Sequence, residues 1–210
     1  MIALLDYGAG NLTSVRKALT AVGAAFFTPA VPEDLASASG VIIPGVGHFG
    51  ATSAITHAWR AGILESVERK TPLLGICLGL QYLFEGSDEA PDLNGLGLLP
   101  GRCTLLPPGV KVPHVGWNAL SIRRRSLLLQ GIKDGTQVYF THSYAAPITK
   151  AAVSTTEHGV RFASAVESGL VFGVQFHPEK SSEAGLQVLR AFVEISTFPN
   201  SHISKCSPSV

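Results

Sequence analysis

Through the first part of the chain, short unbroken apolar runs alternate with stretches in which apolar residues return every three or four positions. Ile2 to Asp6, Ala24 to Thr28, Val41 to Ile43 and Leu73 to Ile76 are the runs. They lack the in–out alternation of a strand with one wet face, which predicts strands buried on both sides. Leu12 to Val22, Ser53 to Lys70 and Leu78 to Phe84 carry the helical period, with a break expected near Gly62, where the helix former is missing. Strands and helices in this alternation build a parallel sheet through right-handed crossovers, with helices on both faces, so the expected architecture is a three-layer α/β fold.

Further along, the pattern changes. Gly97 to Leu106, Val115 to Ile122, Val138 to Phe140, Ala151 to Thr156, Ala163 to Glu167 and Leu170 to Phe176 are β-like runs separated by Gly, Pro and Asp turns, which predicts antiparallel additions to a mostly parallel central sheet. Ser182 to Ile195 places Leu186, Leu189, Phe192 and Val193 on one helical face and reads as a closing amphipathic helix. Without a repeat or a linker, residues 1–196 are expected to form one domain. The Ser- and Pro-rich stretch from Thr197 to Val210 is expected to fray.

Composition narrows the class of function. The 210 residues are 46% hydrophobic, enough for a sizeable core, but only 15% charged with a formal net charge of +1. That balance speaks against affinity from neutralised phosphates and for a small-molecule substrate rather than nucleic acid. The one dense basic run, Arg123 to Arg125, sits among turn formers and reads as a solvated loop. Cys77, Cys103 and Cys206 show neither CxxC spacing nor a pairing pattern, so no metal site and no disulfide framework is expected, and a reducing cytoplasm is the natural setting. No apolar stretch reaches the length of a membrane span.

Within the parallel part, Gly75-Ile76-Cys77-Leu78-Gly79 joins an apolar strand directly to a helix. This is the spacing of a nucleophile elbow with Cys in place of Ser. The sharp turn strains the central residue, the flanking glycines remove side chains that would clash, and the thiol projects at a helix N-terminus that favours the thiolate. The bland alternative is a buried cysteine in a tight turn. A Cys nucleophile needs a base, and of seven histidines His177 stands out. It ends the run Leu170 to Phe176, and Pro178-Glu179 then turns the chain so that Glu179 can orient the imidazole. Taken alone, His-x-Glu is common in structural roles; 100 residues after a Cys elbow it points to a triad. An oxyanion requires N–H donors, for which Leu78, next to the nucleophile, and the Pro44-Gly45-Val46-Gly47 turn are the candidates, although PGVG by itself is only a turn. Gln81 lies one helical turn beyond Cys77, on the same face.

These motifs, in this order over roughly residues 1 to 196, resemble the class I, or triad, glutamine amidotransferases: GICLGLQ at Gly75 to Gln81, an oxyanion loop after an earlier strand, and QFHPE at Gln175 to Glu179. The resemblance implies a flavodoxin-like three-layer fold and no cofactor. It implies that Cys77 forms a γ-glutamyl thioester, His177 moves the proton, Glu179 orients it, and ammonia leaves before glutamate. It also implies that Gly47 and Leu78 form the oxyanion hole and that Gly47, Gln81 and Glu89 hold glutamine, with Ser143 and Tyr144 lining the pocket. From the residues alone, Glu89 reads equally as an exposed loop acid. Asp6 to Leu12, Pro44 to Phe49, Pro113 to Asn118, His142 to Tyr144 and His177 to Ser181 narrow the resemblance to members serving histidine biosynthesis. In those the partner is a cyclase of (β/α)8-barrel fold, here expected as a separate chain in a heterodimer.

Two other readings remain open on sequence. A stand-alone Cys hydrolase of γ-glutamyl bonds needs the same elbow and triad, but leaves Trp117 and Tyr144 unexplained unless they bind substrate. A non-catalytic binding module on the same fold has no use for an intact Cys, His and Glu set.

Overall fold

The structure, a computed structural model, describes residues 1–10 and 12–197; apart from Thr197, the expected frayed tail lies outside the described residues. The parallel half contains β1 (Ile2–Leu4), α1 (Leu12–Ala21), β2 (Phe26–Phe27), β3 (Gly40–Ile43), α2 (His57–Glu68), β4 (Leu73–Ile76) and α3 (Leu78–Leu83). Then follow β5 (Gly86–Ser87), β6 (Arg102–Leu105), β7 (His114–Ala119), β8 (Ser121–Ile122), β9 (Gln137–His142), β10 (Tyr144–Ala145), β11 (Ala152–His158), β12 (Val160–Ser168), β13 (Val171–Val174) and α4 (Ser182–Thr197).

Eight strands form the main sheet in the order β2-β1-β3-β4-β13-β12-β11-β8. From β2 to β13 neighbours are parallel, and β12, β11 and β8 extend the sheet antiparallel, as the pattern predicts. Burial explains the continuous apolar runs. Ile2, Leu4, Ile42, Leu74 and Ile76 face one layer, with Val15 and Leu19 of α1 and Val188, Leu189 and Phe192 of α4. Their chain neighbours Ala3, Leu5, Val41, Ile43 and Leu73 face the other, with Ile63 of α2 and Leu78, Leu80 and Leu83 of α3. Period-two alternation is present, but both faces are dry.

Some boundaries differ from expectation. The helix expected over Ser53 to Lys70, with its break near Gly62, is instead a 3-10 turn at Phe49–Ala54 followed by α2. Gly62 does not break α2. A Cβ there would press on Leu35 Cδ1 and the Pro32 carbonyl, both at 3.3 Å, so the glycine allows the helix to pack against the Pro32–Ser37 turn. Gly97 to Leu106 shortens to β6. The run Val115 to Ile122 splits between two sheets, because β7 pairs only with β9 while β8 joins the main sheet. With β10, β6 and β5 in a further three-stranded sheet, not all of the later strands extend the central one. No helix among the described residues is long and apolar enough to cross a membrane.

Candidate active site

Three adjacent strands bring the candidate residues together at their carboxyl ends, where open α/β sheets bind ligands. β3 leads into Pro44–Gly47, β4 into Cys77, and β13 into Gln175–Glu179. Because Ile76 is in register with Val174, and the Cys77 N–H donates to the Val174 carbonyl at 2.8 Å, residues 100 apart in sequence become neighbours.

Cys77 has φ 52° and ψ −104°, a conformation that L residues rarely adopt and that the surrounding structure must hold in place. Both flanking glycines are needed. A Cβ on Gly75 would strike the Gly79 backbone, and one on Gly79 would overlap the Ile43 carbonyl. The thiol is 4% exposed, its Sγ 3.7 Å from the Thr141 carbonyl and 3.6 Å from Gln175 Nε2.

His177 is buried, and its Nδ1 is 2.8 Å from Glu179 Oε1; with the carboxylate as acceptor, the proton sits on Nδ1. Its Nε2 makes no hydrogen bond among the described residues, which leaves it available to exchange a proton. The backbone is clamped: the His177 N–H donates to the Tyr139 carbonyl at 2.8 Å, and Ser181 Oγ donates to the His177 carbonyl at 2.7 Å. Burial alone would lower the pKa of this imidazole. Cys77 and Glu179 beside it outweigh that and raise it to about 10.

The Leu78 N–H donates to the Gly45 carbonyl at 3.3 Å, so one expected oxyanion donor is engaged. Gly45 lies against the Tyr7 hydroxyl and Leu78, and any side chain there would overlap them. Gly47, at φ +94°, lies in the wall of a cleft of about 270 Å³, also lined by Cys77, Leu78, Gln81, Glu89, Pro113, Thr141, His142, Ser143 and Tyr144. This is just under the range of drug-sized sites and suits a smaller ligand such as an amino acid. Gln81 Nε2 donates to the Tyr144 carbonyl at 2.9 Å. Glu89, no free loop acid, accepts the Phe49 N–H at 2.6 Å and ties loop 85–96 to the turn after β3.

Sequence reasoning gave no role to His142, His114 or Gln175. His142 Nδ1 bonds the Tyr144 carbonyl at 2.9 Å and must donate. Its Nε2 therefore accepts from His114 Nδ1 at 3.0 Å, and His114 Nε2 accepts from Asn118 Nδ2 at 3.2 Å. Every position in this chain demands a neutral ring. Burial lowers His142 to about 3 and His114 to about 4, with neighbouring imidazoles adding to the effect. In NMR titrations both rings should therefore stay neutral from pH 8 to pH 5. In the unfolded chain they would take up protons through the ordinary value near 6.5, so stability should fall as pH drops below it, by about 2 kcal/mol at pH 5 for His142 and by less for His114. Ordinary titration of both rings in the folded protein would remove this assignment. The signal for Gln175 was a polar residue closing an otherwise apolar strand.

A profile of the class-I glutamine amidotransferases matches residues 3–195, and the chain belongs to that family. It is 47% identical over 196 residues to imidazole glycerol phosphate synthase subunit HisH of Methanothermobacter thermautotrophicus, covering 93% of this chain and 98% of the relative. It is 49% identical to the subunit of that name from Moorella thermoacetica, covering 92% and 94%, and 42% identical to that of Bacillus cereus AH187, covering 97% and 100%. Solved structures share the fold at low identity. A glutamine amidotransferase superposes with TM-score 0.73 at 18% identity over 93% of this chain and 98% of the other, and a PurLQS chain from Thermotoga maritima with 0.71 at 19% over 92% and 97%.

Proposed function

We propose that this chain is the glutaminase subunit of an imidazole glycerol phosphate synthase, hydrolysing glutamine through Cys77, His177 and Glu179. The observation that carries the reading is the strained Cys77 beside a Glu179-oriented imidazole, at one end of a cleft lined by Gln81, Glu89, Ser143 and Tyr144. His177 Nε2 takes the S–H proton as Cys77 Sγ attacks the side-chain amide carbon of glutamine, and the C–N bond breaks as Nε2 passes that proton to the departing nitrogen, which leaves as ammonia. Water then loses a proton to the same nitrogen and attacks the γ-glutamyl thioester, and glutamate leaves as the sulfur is released.

In this reading the ammonia passes to a separate cyclase of (β/α)8-barrel fold in the cytoplasm, which uses it to form imidazole glycerol phosphate and an aminoimidazole carboxamide ribotide. Support comes from the rim of the cleft. Beyond Pro113, β7 leaves Val115 and Trp117 each 52% exposed, an apolar face suited to a protein partner.

The turn after β3 supplies a gate. The Gly45 carbonyl holds the Leu78 N–H, so this donor is not open to a negative oxygen beside Cys77. The far side of that peptide is the Val46 N–H. Turning the Gly45–Val46 peptide over releases Leu78 and brings in a second donor, and glycine at position 45 permits the rotation. The donor entering the hole is then Val46 N–H, with Gly47 allowing the turn to close around it.

Glutaminase activity measured with and without a barrel cyclase loaded with its nucleotide substrate tests the proposal. Slow turnover alone and acceleration in the complex, mainly in kcat, is the expected result. Equal rates would favour a stand-alone γ-glutamyl hydrolase. Val46→Pro, which removes the incoming N–H, should lower the stimulated rate about 10²–10³-fold with little change in KM. An undiminished stimulated rate would rule out the turned peptide.

A further inference from the structure

Gln175 is fully buried, and two partners set the orientation of its amide. Gln81 Nε2 lies 2.9 Å from the Tyr144 carbonyl, so that atom must be a donor, and it also lies 3.3 Å from the Gln175 amide. The Gln175 atom facing it must be the acceptor Oε1, since two NH2 groups would otherwise meet. Nε2 of Gln175 is thereby turned to Cys77 Sγ at 3.6 Å. The sulfur has a contact of the opposite kind on another side. The Thr141 carbonyl, at 3.7 Å, accepts from an S–H but repels a thiolate. Thr141 thus holds the protonated form, and the Gln175 N–H gains strength when the proton leaves, as hydrogen bonds to charged acceptors do.

We propose that Gln175 is a catalytic residue of this site, donating an N–H to the Cys77 thiolate from within the core and holding the sulfur reactive before substrate binds. It acts apart from the triad. His177 carries a proton to and from the reacting atoms, whereas the Gln175 amide moves none and favours the charged sulfur by orientation. The chain Tyr144 carbonyl, Gln81, Gln175, Cys77 also connects the pocket wall to the nucleophile. The inference rests on Cys77 being the nucleophile, but not on glutamine being the substrate.

The test is the pH dependence of Cys77 alkylation by iodoacetamide in the full chain, with the modified peptide identified by mass spectrometry so that Cys103 and Cys206 are not counted. In Gln175→Met, half-maximal alkylation should move up by about one pH unit, the low end of what a hydrogen bond to a charged group supplies, and glutamine kcat/KM at pH 7 should fall about tenfold with little change in KM. An unchanged alkylation profile in a folded variant overturns the proposal. Should the Met variant not fold, the wild-type protein answers the question. The Gln175 side-chain amide resonance should move as Cys77 titrates, and one indifferent to that titration overturns the proposal equally. A chain that does not hydrolyse glutamine, yet whose Cys77 alkylation profile still moves in Gln175→Met, would sink the functional reading and leave the Gln175 contact standing, so the two failures are distinguishable.

Discussion

Replacing Cys77 with Ala should abolish glutamine hydrolysis, with kcat falling by roughly 10⁴-fold or more, because the route through a thioester disappears and no other thiol among the described residues can take it up. Of the described cysteines only Cys103 is an alternative. It is fully buried in β6, paired with Ser87 of β5, and burial raises its pKa, with the Asp88 charge adding to the effect, so it stays a thiol. Cys103→Ser should therefore leave the rate nearly unchanged in molecules that fold. A glutamine-like electrophile should label the wild-type chain at Cys77 and the Cys77→Ala chain not at all. Substantial turnover in Cys77→Ala, or loss of turnover in a folded Cys103→Ser, would move the nucleophile elsewhere.

The elbow was legible in sequence because one requirement, a backbone turn too tight for a Cβ on either side, writes itself as two glycines around the reactive residue. Gly75 and Gly79 meet backbone atoms in just that way. The parallel strands were legible for a similar reason, since burial on both faces leaves no polar alternation. What could not be read depends on contacts between distant segments. Gly62 looks like a helix break until the Pro32–Ser37 turn is packed against it, and residues 115–122 look like one strand until β7 and β8 find different partners. The closed oxyanion turn is of this kind too. Local sequence offers Leu78 N–H as a donor, and only the arrangement of β3 beside β4 shows that the Gly45 carbonyl has taken it. The amide orientation of Gln175 likewise follows from three residues far apart in the chain.

His177→Asn should cost several orders of magnitude in kcat, and Glu179→Gln markedly less, since Asn removes the atom that moves the proton whereas Gln still leaves a polar group against Nδ1. The two variants should also differ in pH dependence. Cys77 and the Glu179 carboxylate together hold the His177 pKa up at about 10, against its burial. Because folding raises this group above its ordinary value, the stabilisation it contributes is complete below about pH 6.5 and drains away as pH rises towards 10. The imidazolium that protonates the departing ammonia is lost over the upper part of the same window, so kcat/KM of the wild type should decline only on approaching pH 10. Glu179→Gln removes one of the two supporting charges while burial still opposes the proton, so its alkaline limb should move towards neutrality. The carboxylate thus has two separable tasks, fixing the tautomer through the 2.8 Å contact at Nδ1 and holding the proton on the ring. A rate loss in Glu179→Gln with the alkaline limb unmoved would leave it only the first. Trivial losses in both variants would make His177 a structural terminator of β13 and remove the triad.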